Sequence, residues 1–92
     1  MFCYLLDAEL EEMLVAHARG ETPLTEDDSD RIIDGLRELL ADFPTPSPVV
    51  LTGSEARRPL RQLIASVFPR MPVVAYQELV PDLSIQPLGR VS

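Results

Sequence analysis

The chain has no lysine, a single cysteine, a single histidine and only four glycines in 92 residues, and its longest uninterrupted apolar run, Met1 to Leu6, spans six. Each scarcity excludes something. A run of six is far short of the roughly 20 residues a membrane-crossing helix needs. The opening residues lack a basic region and place Asp7, Glu9, Glu11 and Glu12 where a cleavage site would sit, so no secretory signal is expected. A lone Cys3 cannot close an internal disulfide or build a zinc site, and a reducing, cytoplasmic setting is the natural expectation. There is no glycine-rich phosphate loop, no metal-ligand spacing, and no Ser or Cys with a plausible His and acid arrangement. A thioredoxin-like reading fails on the missing second cysteine. We therefore expect no enzyme activity and no cofactor.

What is present describes one ordered domain. Apolar residues make up 46% and charged residues 25% of the chain, which sets disorder aside. A chain of this size hides roughly two thirds of its extended surface on folding, enough for a single core. Charge is uneven along it. Residues 1–42 hold twelve acids against Arg19, Arg31 and Arg37, a net of −9, whereas residues 43–92 hold three acids against five arginines, a net of +2. So acidic a first half repels phosphate backbones, so no nucleic-acid partner is expected.

Periodicity predicts the elements. Asp7 caps a helix over about Ala8 to Ala18, with Leu10, Met13, Leu14 and His17 on one face, and Gly20 stops it. Thr25 and Asp28 approximate a capping box for a second helix, about Glu26 to Asp42, striped by Ile32, Ile33, Leu36, Leu39, Leu40 and Phe43. Pro44, Pro46 and Pro48 form a stiff connector. Val49 to Thr52 reads as a buried strand, and a third helix capped by Ser54 carries Leu60, Leu63, Ile64, Val67 and Phe68 inward, with an irregular start at Pro59. Pro72 to Tyr76 reads as a second strand, parallel to the first because a helix joins them. Leu83 to Leu88 alternates like a third strand. The expected fold is α/β (α+β): a single domain, 1–92, in which an acidic helical pair (1–43) precedes a βαββ part (49–92), with three helices on a small three-stranded sheet.

Leu51-Thr52, the arginines Arg57, Arg58 and Arg61, the stretch Pro72-Val73 with Tyr76, Gln77 and Glu78, and the closing Ile85-Gln86-Pro87-Leu88-Gly89 together resemble the carboxy-terminal end of the FlhA/LcrD (FHIPEP) family. These are the export-gate proteins of bacterial type III secretion and flagellar assembly. Leu6-Asp7 and Glu11-Glu12 resemble the start of the preceding helix in that family, so the resemblance covers nearly the whole chain. It implies a non-enzymatic cytoplasmic subdomain at the inner-membrane face. Its partners would be export chaperones, secreted substrates, gatekeeper proteins and other export-apparatus subunits. Ring assembly would belong to the full-length protein, and this piece would not itself enter the membrane. A free-standing acidic regulatory adaptor, binding secretion chaperones or competing with the complete gate, is the alternative.

The candidate partner-binding residues are Arg57, Arg58, Arg61, Tyr76, Gln77, Glu78, Gln86 and Arg90. Simpler readings stand beside them. The arginines could bridge to acids of the second helix, Tyr76 could pack under the third helix with its hydroxyl on the Pro81 loop, and Ile85 to Gly89 could be no more than a closing strand. Helix capping accounts for the carboxylates Glu26, Asp27, Asp28 and Asp30, since the glycine and glutamate of a calcium loop are replaced by Ile33 and Leu39. His17 suits a helix end.

Overall fold

In a computed structural model, which describes residues 2–79 and 84–92, the chain runs β1 (Phe2–Leu6), α1 (Ala8–Ala18), α2 (Glu26–Asp42), β2 (Val50–Thr52), α3 (Ser54–Ile64), β3 (Val73–Ala75), a 3-10 turn (Tyr76–Glu78) and β4 (Gln86–Val91). Both helices of the acidic half keep their expected bounds. The Asp7 side chain accepts from the Glu9 amide, and Thr25 Oγ1 accepts from the Asp28 amide at 3.1 Å. Gly20, at φ 76°, takes the left-handed turn that lets the chain leave α1.

The sheet has four strands rather than three, in the order β3-β2-β1-β4, and every pairing is parallel. The expected parallel pair holds, with Val50, Leu51 and Thr52 opposite Val73, Val74 and Ala75. The unexpected strand is β1. Its Cys3, Tyr4 and Leu6 are all buried, so it shows a plain apolar run instead of alternation, the pattern of a strand covered on both faces. The closing strand lies later than expected, at Gln86–Val91; Ser84 and Ile85 are outside it, and Leu83 lies outside the described residues. Its register against β1 shifts once between Cys3 and Tyr4, so that Cys3 faces Pro87, Tyr4 faces Gly89 and Leu88 is taken up as the extra residue.

Tyr4, Leu6, Val50, Val73 and Val91 share one core with Leu10 and Leu14 of α1, Ile32 and Leu36 of α2, and Ala56, Leu60 and Ile64 of α3. Those strand residues share one face of the sheet, so the helices form a single layer on it, and Leu5, Leu51 and Val74 alternate onto the other. Tyr4 also donates its hydroxyl to the Phe43 carbonyl at 2.6 Å, tying the central strand to the end of α2.

The start of α3 departs from expectation in two ways. Gly53, not Ser54, is its N-cap and offers no side chain; instead the Glu11 carboxylate of α1 accepts from the Gly53 amide and the buried Thr52 hydroxyl. A carboxylate supplied from a neighbouring helix thus does the work of a cap. The helix is also regular through Pro59. The carbonyl that loses its partner there belongs to Glu55, an exposed residue open to water.

Candidate functional site

On α3 the inward positions Ala56, Leu60 and Ile64 leave Arg57, Arg58 and Arg61 on the outer side, towards β3. Arg57 Nε donates to the Val73 carbonyl at 3.2 Å and lies 2.9 Å from Glu78 Oε1. That same carboxylate oxygen accepts from the Ala75 amide at 3.2 Å. Arg61 Nη2 donates to the Pro69 carbonyl at 2.7 Å, while its Nη1 is buried and has no hydrogen-bond partner among the described residues. Arg58 is exposed and has neither hydrogen bond nor ion pair among them. With Gln62, Pro72 and Val73, the three guanidinium groups line a cleft of about 360 Å³. The alternative of bridges to α2 is not realised. The strand order puts α2 over β4 and α3 beside β3, at opposite edges of the sheet.

Tyr76 does not pack beneath α3: it is 46% exposed in the turn that follows β3, and Pro81 lies outside the described residues. Its partial burial pushes the phenol above its ordinary value, the Glu11 charge adds to this, and the Arg90 guanidinium pulls the other way. Gln77 is exposed and lines a second groove, of about 380 Å³, together with Glu11, Arg19, Gly53 and Glu55. An Arg19–Glu55 ion pair at 2.6 Å spans that groove from α1 to α3. Arg90 is exposed on β4 in register with Leu5, and Gln86 is exposed at the other end of the same strand, in register with Phe2.

The eight candidates therefore fall into three places. Arg57, Arg58, Arg61 and Glu78 gather at the α3–β3 corner; Tyr76, Gln77 and Arg90 stand at the carboxyl ends of the strands; Gln86 stands alone at the amino end. Glu78 is spent internally, on Arg57 and Ala75. Glu11 was not among the candidates, although the lack of any capping side chain at Gly53 was the signal that some other group must satisfy that helix start.

The remaining reactive groups are occupied or shielded. Burial pushes the Cys3 thiol up, against the pull of the amino-terminal charge, and His17 Nδ1 sits 3.2 Å from the Thr22 carbonyl. No group of three or more His, Cys, Asp or Glu side chains converges among the described residues. What the surface offers is charge, hydrogen bonding and exposed aromatic rings, Tyr76 together with Phe2 and Phe43.

No family model matches the chain. It is 32% identical over 95 residues to the low calcium response locus protein D of Yersinia pestis, covering 96% of this chain and 14% of that protein. The chain thus spans about one seventh of the length of that relative. Among solved structures it is similar to the CdsV protein of Chlamydia pneumoniae, at 36% identity and a TM-score of 0.81, over the whole of this chain and 28% of that one. CdsV has also been solved as a complex with CdsO, where the likeness is 37% identity with a TM-score of 0.78. The MxiA protein of Shigella flexneri shares the fold, with a TM-score of 0.85 at 21% identity over 99% of this chain and 30% of that one. By sequence and fold together, the chain belongs to the export-gate family of type III secretion, as a homologue of its carboxy-terminal subdomain.

Proposed function

We propose that this chain is a non-enzymatic docking subdomain of a type III export gate, working at the cytoplasmic face of the inner membrane. It receives export chaperones, secreted substrates and gatekeeper proteins and contacts other subunits of the export apparatus. The observation that carries this reading is the likeness to CdsV, a relative solved in complex with a second protein, CdsO. The surface supports it. Arg58, Gln77 and Arg90 are exposed polar side chains, and the half-exposed Tyr76 supplies the kind of rigid aromatic that anchors protein interfaces. No helix among the described residues is long and apolar enough to cross a membrane. Recognition would be by shape and polar complementarity around a few anchors, with no covalent step.

The test is a pull-down of a CdsO homologue and of export chaperones from the same secretion system, using the purified chain, Tyr76→Ala, and a variant with Arg57, Arg58 and Arg61 all replaced by Ala. Circular dichroism reports whether each variant is folded. We expect the parent to retain a partner and at least one folded variant to lose it by about tenfold or more, the scale of an interface anchor. Failure of the parent to retain any, or equal retention by both variants, would remove these residues as the docking surface.

A further inference from the structure

The α3–β3 cleft has a chemistry more specific than general docking, and its argument rests on the docking reading above. Its lining carries three arginines and no carboxylate, Glu78 touching it only as the ion-pair partner of Arg57, in a chain whose net charge is −7. The acid nearest in sequence, Glu55, is engaged by Arg19. Two of the guanidinium groups are already fixed: Arg57 by its Nε to Val73 and Glu78, Arg61 by its Nη2 to Pro69. The unused Arg61 Nη1 is buried and has no hydrogen-bond partner among the described residues, and an unpaired buried donor is costly. Arg58 is exposed and has no partner among the described residues. Fixed guanidinium forks surrender little conformational entropy on binding and match a planar carboxylate with two parallel hydrogen bonds.

We infer that this cleft binds side-chain carboxylates of an acidic polypeptide segment, with Arg61 and Arg57 as the held forks and Arg58 as the mobile clamp. A short peptide can reach the cleft while avoiding the acidic half, whose net charge of −9 would repel an extended polyphosphate.

Fluorescence anisotropy with a labelled peptide repeating Glu-Glu-Leu-Ala, and with its Gln-Gln-Leu-Ala counterpart, tests the inference. The parent should bind the first and not the second, more weakly as salt is raised. Arg58→Glu removes no contact of the fold and should weaken binding by about tenfold or more. Arg31→Glu makes the same change in charge on α2 and should leave it unaltered. Arg61→Lys keeps the charge but loses the fork, and should weaken binding severalfold. Equal binding of the two peptides, or equal losses in Arg58→Glu and Arg31→Glu, overturns the inference, as does polyuridylate binding that depends on Arg58. A CdsO homologue still retained in full by Arg58→Glu would leave the docking reading standing and take the acidic segment out of this cleft.

Discussion

With no lysine in the chain, Cys3, Tyr4 and Tyr76 are the side chains that titrate between the histidine and the arginines. All three have their pKa raised, chiefly by burial. The folded state therefore holds these protons more tightly than the unfolded chain does. The stabilisation this gives is complete below the ordinary thiol and phenol values and is lost as pH rises through the higher folded ones. Denaturation midpoints should fall steadily above about pH 9, and a Cys3→Ala, Tyr4→Phe, Tyr76→Phe triple variant should show a flattened slope there. An unchanged slope would contradict the assignment. At neutral pH, Tyr4→Phe should cost about 1 kcal/mol through the Phe43 carbonyl it leaves unpaired. Of the candidate residues, the arginines and Tyr76 stand out by residue type and spacing. Their division into separate places does not, because it depends on which sheet edge each element reaches.

Among the elements, α2 and β4 approach most closely through glycine. A Cβ built on Gly35 would lie 2.7 Å from Val91 Cγ1, and one on Gly89 would collide with the end of the Leu39 side chain. Helix propensity alone would make Gly35→Ala stabilising by about 1 kcal/mol. The clash with a stiff valine opposes this at about 1–3 kcal/mol. We expect Gly35→Ala to be destabilising in urea titrations, with recovery when Val91→Ala is added. A stabilised single variant would show that α2 does not press on β4. Gly89→Ala should cost less, since the end of Leu39 can swing away. α1 and α2 were legible because their apolar stripes and capping residues agree, whereas the start of α3 was not, since its cap comes from Glu11 of α1 and the helix runs regularly through Pro59. β1 was not, since a strand buried on both faces leaves no alternation to read. β4 lies three residues later than the alternation of Leu83 to Leu88 suggests, because the contacts that settle its register come from β1 and α2.

At the scale of the whole molecule, the charge asymmetry of the sequence becomes a spatial one. The acidic helix α2 covers β4 at one edge, and the arginine cleft opens beside β3 at the other. Among the described residues the exposed ion pairs Arg19–Glu55, Asp34–Arg37 and Arg57–Glu78 offset the self-repulsion only in part, each contributing at most about 1 kcal/mol. Raising ionic strength from about 0.01 to about 0.1 M shortens the screening length from about 30 to about 10 Å. The melting temperature should rise across that range. A fall would mean that the ion pairs outweigh the repulsion.

The strand order also dictates a schedule. Residues 2–6 sit between residues 50–52 and 86–91, so β1 has to wait for a partner strand that is synthesised long after it. Until then Tyr4 and Leu6 have one flank unmet, and closing so wide a loop is slow. A nascent chain halted before Gln86 should stay sensitive to protease, and emergence of β4 should act as the latch.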